Sequence, residues 1–408
     1  MDNEIRRQEM KIGFADGEKI GVFENGEKKI YESNYITRYK ENALKAAKSK
    51  EWKKQTDLMI ADDYYFEAEN ETSFFSCVQC VSPTIEENKL LYAFTVGNTS
   101  GIYYKYTDDK EKTEAHALSS SDVTFTSLSF SKSGKILGAV KTDSVCSNIA
   151  IFKSGCSEYE TLTGGDSLDE NPFLDQDGNV LFNSYAVGRD QNNAFITYLP
   201  SQIYQINPET LEIKELRFDE NFSYIKPMKD GAGNLYCIRK PNEEKQGENV
   251  FLQILMIPVR IVQAIVGFIS AFVMCFAKKP LVSGGSARSI SSGGDVARNG
   301  GDPKKMWVNN HLINVEKELK RNGKKEEFGF IPKSWTLVRI KKDESGQFIG
   351  EYELARGVAD YCIVEEKGET LLVFTNGKRV FALKEEKENV RIEKLFETDC
   401  CVKVNATQ

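Results

Sequence analysis

The sequence repeats a unit of about forty to fifty residues, and this repetition constrains the fold more than any other feature. The clearest copy runs from Thr124 to Thr163 and reads as an alternating strand, a Gly-containing turn, a second apolar strand and two further strands. The other copies lie at 11–33, 74–118, 172–216, 360–396, and 223–241 continued by 335–355. The chain therefore holds six such units.

A four-stranded sheet with two apolar faces cannot bury both faces alone. Packing such sheets radially around an axis buries them and leaves short, protected edges. The repeat therefore predicts an all-β fold, a six-bladed β-propeller of four-stranded antiparallel blades, with residues 400–404 adding a strand to the first blade. The alternative is a β-sandwich of hairpins, although such strands would not keep a four-strand period.

Three stretches of the repeat carry a resemblance to a known family. They read SFSKSGKIL (Ser129 to Leu137), FLDQDGNVLF (Phe173 to Phe182) and YQINPETLEIKEL (Tyr204 to Leu216). This pattern resembles the TolB-like and WD-repeat-like six-bladed propellers, although no Trp-Asp or Gly-His signature of the WD type is present. The resemblance implies a propeller with a protein-binding or scaffolding role, and it carries over no catalytic residue.

The net charge, the first twenty residues and the cysteines of the sequence limit the class and the location of the protein. The net charge of −7 argues against a general nucleic-acid binder, which needs a broad basic surface. The first twenty residues contain no apolar stretch that could serve as a signal peptide, so the chain is expected to lie in the cytoplasm. The nine cysteines are then expected to be reduced thiols.

Two stretches depart from the repeat. Residues 38–55 read as a short basic helix inserted in the first blade. Residues 242–333 form a large insertion between the second and third strands of one blade, and they divide the propeller into parts 1–241 and 334–408. Within the insertion we expect an apolar helix (250–279), a flexible Gly/Ser-rich tether (283–302) and a basic helix at about 306–325.

The apolar segment 250–279 is long enough to span a bilayer, since its 28-residue apolar run (250–277) would measure about 42 Å as a helix against a hydrocarbon core of about 30 Å. However, its polar and small residues fall in one stripe, and Pro258 and Arg260 suit a span poorly. A single crossing would also place two strands of one blade on opposite sides of the membrane. The segment is therefore expected to lie in the membrane plane or to re-enter on the same side.

This interpretation places the protein on the cytoplasmic side of a membrane, as a peripheral or monotopic protein in contact with anionic lipids. An oligomer or partner interface and a true span remain alternatives for the same helix. The residues expected to contact the membrane are Phe251, Leu252, Leu255, Val259, Ile261, Val262, Ile265, Val266, Phe268, Ile269, Phe272, Val273, Phe276, Lys278 and Lys279.

The sequence contains no strong catalytic motif, neither a Gly-x-Ser-x-Gly elbow nor a phosphate-binding loop. Residues 175–179 resemble the start of a calcium loop but read better as a hairpin turn, because no glutamate stands at the twelfth position. His116 and His311 have no evident catalytic partner, and the Cys77/Cys80 pair lacks the second ligand pair of a zinc site. We therefore predict no metal and no cofactor.

Three hypotheses of function follow. The first is a non-enzymatic, membrane-peripheral scaffold or sensor that binds an unidentified protein partner on a propeller face or on the side wall of the ring. The second is a propeller hydrolase or lyase acting on a membrane or envelope-derived substrate, with its site in the central channel. The third is a soluble propeller whose apolar helix forms a homo-oligomer interface.

Overall fold

The computed structural model describes residues 10–54, 76–242 and 305–407, apart from 87, 98, 109–112, 144, 192, 324–327, 343–347, 367–368 and 387–388. The predicted apolar helix at 250–279, with all its expected membrane contacts, and the tether at 283–302 lie outside the described residues. None of the helices within the described ranges is long and apolar enough to cross a membrane.

The fold is all-β, and the described strands fall into six consecutive groups of three to five mainly antiparallel strands. The first group comprises β1 (Lys11–Asp16), β2 (Lys19–Glu24) and β3 (Glu27–Glu32). The second comprises β4 (Ser76–Pro83), β5 (Lys89–Val96), β6 (Thr99–Tyr106) and β7 (Glu114–Ser120). The third comprises β8 (Thr124–Phe130), β9 (Ile136–Lys141), β10 (Ser147–Phe152) and β11 (Tyr159–Thr161). Group four comprises β12 (Ser167–Leu174), β13 (Val180–Arg189), β15 (Gln202–Ile206) and β16 (Ile213–Arg217), with β14 (Phe195–Tyr198) paired beside β13. The fifth group comprises β17 (Phe222–Lys229), β18 (Leu235–Pro241), β21 (Thr336–Lys342) and β22 (Phe348–Arg356). The sixth comprises β23 (Asp360–Glu366), β24 (Glu369–Thr375), β25 (Gly377–Glu386) and β26 (Asn389–Asn405).

Strand β26 belongs to two groups. Its first half pairs with β25, and its last residues pair antiparallel with β1, where Val404 lies opposite Phe14 and Asn405 lies opposite Gly13. The prediction that residues 400–404 add a strand to the first group is confirmed. The sixth and first groups consequently form one continuous seven-stranded sheet.

The insertion interrupts the fifth group between its second and third strands, as the repeat predicts. Strands β18 and β21 pair across it, with Leu235 opposite Ile340 and Arg239 opposite Thr336. The chain returns from the insertion through a hairpin, β19 (Lys305–Val308) and β20 (His311–Asn314), and a helix, α2 (Val315–Asn322).

The prediction of one basic helix over about 306–325 is wrong in its first part. Asn309 and Asn310 both have positive φ, 47° and 58°, which is the conformation that a two-residue hairpin turn requires. The helix begins only after Asn314, whose side-chain oxygen accepts a hydrogen bond from the amide of Lys317 at 2.9 Å. It ends before Gly323, which has a φ of 72°.

Helix α1 (Asn34–Lys54) occupies the stretch in which a short helix is expected, but it begins four residues earlier. The Ser33 hydroxyl accepts from the amide of Ile36 at 3.3 Å, and Glu114 Oε1 accepts from the amide of Asn34 at 3.0 Å. Ile36 is buried, and the ring of Tyr35 packs against Phe94 of β5 with centroids 4.9 Å apart. The first turn is therefore part of the core rather than a solvated surface.

The apolar core lies between neighbouring groups of strands. One cluster joins the first and second groups through residues such as Ile20 and Tyr92, and another joins the second and third through Leu91 and Phe125. The largest cluster extends over the fourth, fifth, sixth and first groups. Neighbouring groups thus bury apolar side chains against each other.

Candidate functional site

The first strands of the groups lie next to one another in chain order. Strand β4 contacts β8, β8 contacts β12, β12 contacts β17, and β17 contacts β23. The last residues of β26 contact both β23 and β4. We call β4, β8, β12, β17 and β23, together with the last residues of β26, the inner strands.

A buried ion pair lies among these inner strands. Lys226 Nζ lies 2.8 Å from Asp360 Oδ2, and it also donates to the carbonyl of Val404 at 2.9 Å and to Asn405 Oδ1 at 3.2 Å. Lys226 has a φ of 52° at an irregularity in β17, and its amide donates to Asn183 Oδ1 at 3.0 Å. The three donors of the ammonium group thus join β17, β23 and β26 at one point.

The hairpin of β19 and β20 lies beside the starts of the inner strands β12 and β23 and near the end of β18, and we call this end of the inner strands the insertion-side opening. Asn309 Nδ2 donates to the carbonyl of Ala359 at 2.7 Å, and Lys403 Nζ donates to Asn309 Oδ1 at 3.1 Å. Asn310 Nδ2 donates to Glu170 Oε2 at 2.7 Å. The tip of the hairpin is therefore held by residues of the fourth, sixth and first groups.

Beneath this hairpin lies a cavity of about 180 Å³, which we call the insertion-side cavity. Burial raises the pKa of Glu170 above its ordinary value, and the neighbouring charges of Lys403 and Lys141 oppose that rise. The residues that line the cavity are Ala15, Gly17, Cys77, Val78, Gln79, Thr126, Lys141, Leu168, Glu170, Met306, Trp307, Val308, Asn309, Asn310, Cys400, Val402 and Lys403.

A second cavity of about 350 Å³ lies at the opposite opening, where the inner strands end. Asp175 and Glu365 both line it, but each carboxylate is already bound within the chain. Asp175 Oδ2 lies 2.7 Å from Lys229 Nζ, and its other oxygen accepts from two amides of the 175–179 turn. Glu365 accepts from the amide of Gly231 and pairs with Lys132 at 3.2 Å. This pair is therefore not arranged as a general acid and base.

The candidate site residues identified in the sequence do not lie together in one site. His116 lies on β7 beside Ser119 at 3.1 Å, and His311 lies edge-on to the ring of Trp335; neither lines a cavity described above. Burial raises the pKa of Cys77 to about 12 and of Cys80 to about 11, so both thiols stay protonated near neutral pH. Within the described ranges no three His, Cys, Asp or Glu side chains are grouped so as to hold a metal ion.

Sequence reasoning missed the groups that the fold brings together, namely Glu170, Lys226, Asp360 and Lys403. Each is a single charged residue in a strand with no unusual sequence pattern, and the partners of the Lys226 ammonium group lie more than a hundred residues away in the sequence. The one available signal was position, because Glu170, Lys226 and Asp360 each stand in the first strand of a repeat unit.

No known family of proteins matches the sequence, and no curated protein matches it. Among solved structures, TolB from Acinetobacter baumannii aligns with a TM-score of 0.47 and 10% identity, over 97% of this chain and 66% of that one. An acylaminoacyl peptidase from Pyrococcus horikoshii aligns with a TM-score of 0.36 and 11% identity, over 78% and 39%. An uncharacterised protein from Listeria monocytogenes aligns with a TM-score of 0.34 and 11% identity, over 81% and 86%.

The chain spans about two thirds of the TolB chain and a quarter of the puromycin hydrolase chain to which it is also similar. The likeness to TolB agrees with the resemblance read from the repeat. None of these likenesses carries an activity or a partner to this chain, whose all-β fold follows from its own strand pairing.

Proposed function

We propose that the chain is a six-bladed propeller that acts as a non-enzymatic scaffold, and that it binds a protein partner on the outer rim of its fourth and fifth blades. The ring is supported by the cyclic order of contacts among the inner strands and by the double pairing of β26. Pairing the last strand with the first sheet joins the two ends of a ring without leaving an inner edge.

The observation that carries the proposal is a set of exposed apolar side chains on the outermost strands of two neighbouring groups. Leu211, just before β16, and Ile213, at its start, are 57% and 53% exposed, and Phe348 and Ile349 are 41% and 64% exposed at the start of β22. The guanidinium of Arg217, the last residue of β16, stacks on Phe348 at 3.8 Å and so connects the end of β16 with the start of β22. We call these four apolar residues the rim patch; exposed apolar side chains are typical of protein-binding sites.

The polar groups at the axis support a non-enzymatic role. The axial ammonium and carboxylate bind each other, and the two carboxylates at the opposite opening are each held by a lysine and by backbone amides. Within the described residues, no base lies beside a nucleophile that it could activate at either opening. The hydrolase or lyase hypothesis therefore finds no specific support.

A photo-crosslinker tests the proposed docking site. Benzoylphenylalanine at Ile349 is expected to give one discrete protein adduct in the native host cell, because the side chain would be covered by the partner. Ile85 supplies a matched control, since it is a similarly exposed isoleucine (59%) outside the rim patch, and it should give no such adduct. Absence of an adduct at Ile349, or the same adduct at both positions, would contradict the proposal.

We further propose that the segment 250–279 holds this scaffold at a membrane. The insertion leaves from the end of β18 and returns to the start of β21, at the same end of the ring as the hairpin tip. Phe348 and Ile349 of the rim patch stand at the start of β22, which runs in the direction of β18, so they lie at the other end of that sheet. A membrane-bound insertion would leave that end accessible to a partner.

Liposome flotation tests the membrane contact. The full-length protein is expected to float with phosphatidylserine-containing vesicles through a high-salt wash, because apolar burial resists salt whereas charge attraction does not. Removing residues 250–279 should abolish flotation, and removing the tether 283–302 of the same insertion should leave it unchanged. Equal flotation without 250–279 would rule out this anchor, and a detergent-sensitive oligomer that does not float would favour an oligomer interface.

A further inference from the structure

We propose that the insertion-side cavity binds a small organic carboxylate with an apolar body, of about the size of a branched five- or six-carbon acid. The proposal rests on the volume, the charge and the apolar walls of the cavity. It is independent of the partner and of the membrane contact proposed above.

The volume sets the size of the ligand. An apolar cavity of about 150 Å³ inside a protein is known to hold benzene. The insertion-side cavity measures about 180 Å³, so it has room for a molecule slightly larger than benzene. A bound water or a monatomic ion would leave most of this space unfilled.

The charged residues that line the cavity determine the charge of the ligand. Two lysines, Lys141 and Lys403, line the cavity together with a single carboxylate, Glu170, so the lining has an excess of positive charge. The carboxylate is engaged at Oε2 by the amide of Asn310, and Lys403 donates to the neutral side-chain oxygen of Asn309. A lysine ammonium has three donors, so Lys403 can donate a further, charge-assisted hydrogen bond to a carboxylate.

The apolar residues that line the cavity determine the rest of the ligand's structure. Val78, Leu168 and Val402 from three inner strands, and Met306 and Trp307 from the hairpin, provide the apolar part of the lining. An inorganic anion would gain nothing from these walls, whereas a branched hydrocarbon chain would be removed from water against them at about 25 cal/mol per Å² buried. A carboxylate head near Lys403 with its body towards Trp307 matches both parts of the cavity.

Isothermal titration of the full-length protein tests the proposal with three probes. We expect 4-methylpentanoate to bind, and 3-methylbutylamine and inorganic phosphate to bind at least about tenfold more weakly, since one lacks the negative charge and the other the apolar body. Lys403→Met should weaken the binding of 4-methylpentanoate at least about tenfold, and Lys403→Arg should retain most of the wild-type affinity. Lys132→Met, at the opposite opening, should leave the affinity unchanged.

A second variant separates binding from folding, because Lys403 also holds the hairpin tip. Thr126 lines the cavity on β8, and Thr126→Phe is expected to fill the space and abolish binding with every charge retained. The thermal midpoint of each variant is measured alongside, to identify loss of the folded state. Failure of 4-methylpentanoate to bind, equal binding of the amine, or unchanged binding in both Thr126→Phe and Lys403→Met would each overturn the proposal.

Discussion

Replacing Lys226 with Met is expected to lower the free energy of unfolding by about 3–5 kcal/mol, because it leaves a buried carboxylate without its counter-charge. Asp360 is 1% exposed and Lys226 is 7% exposed, so water cannot take the place of the lost ammonium. Asp360 Oδ1 has no hydrogen-bond partner among the described residues, which leaves the carboxylate still more dependent on Lys226. Urea denaturation followed by tryptophan fluorescence measures the loss.

Two controls identify the cause of this loss. The double variant Lys226→Met/Asp360→Asn removes both charges and should recover part of the lost stability, because a neutral amide costs less to bury. Lys153→Met breaks an exposed ion pair with Glu158 and should have no measurable effect. If the double variant were as unstable as Lys226→Met, lost packing rather than an unpaired charge would be the cause.

Ending the chain after Thr398 is expected to abolish cooperative folding. The truncation removes the segment of β26 that pairs with β1, including the buried Cys401 and Val404. It also takes away two of the acceptors of Lys226, and it exposes the inner edge of the first sheet. The expected readout is the loss of a single sharp thermal transition and of the near-ultraviolet circular dichroism signal.

Moving the missing strand tests whether its pairing, rather than the chain length, is responsible. Residues 399–407 placed before Met10 through a short Gly-containing turn can pair with β1 in the same antiparallel register, because Asn405 lies opposite Gly13. This rearranged chain should fold and recover the cooperative transition. A truncated chain that still unfolds cooperatively, or a rearranged chain that does not fold, would contradict this role of the strand.

The strand groups could be predicted from the sequence because their signals are local. Asn25 and Gly26 both have positive φ, 54° and 79°, at the tight turn between β2 and β3 that the Asn-Gly pair indicates. The corresponding pair, Asn376 and Gly377, differs, because only Gly377 has positive φ. A β-carbon on Gly377 would lie 2.4 Å from the ring of Phe330, so this glycine also serves a close approach that no local pattern reveals.

The candidate sites could not be predicted because they depend on contacts between distant segments. The tip of the return hairpin reaches Glu170 and Lys403, residues 140 and 94 positions away from their respective partners. An Asn-Asn pair in an insertion gives no indication of what it will contact. Similarly, the carboxylate of Asp175 could be read as a turn-forming residue, but its pairing with Lys229 of the next group could not.

The double role of β26 has a consequence for how the protein is made. Gly13 and its partner Asn405 are 392 residues apart, so at about 5–20 residues per second the ribosome completes the partner of β1 about 20–80 s after β1 itself. Throughout that interval the inner edge of β1 offers unpaired amides and carbonyls to any neighbouring chain. Nascent chains on one polysome are therefore expected to need a chaperone on their first sheet until translation is complete.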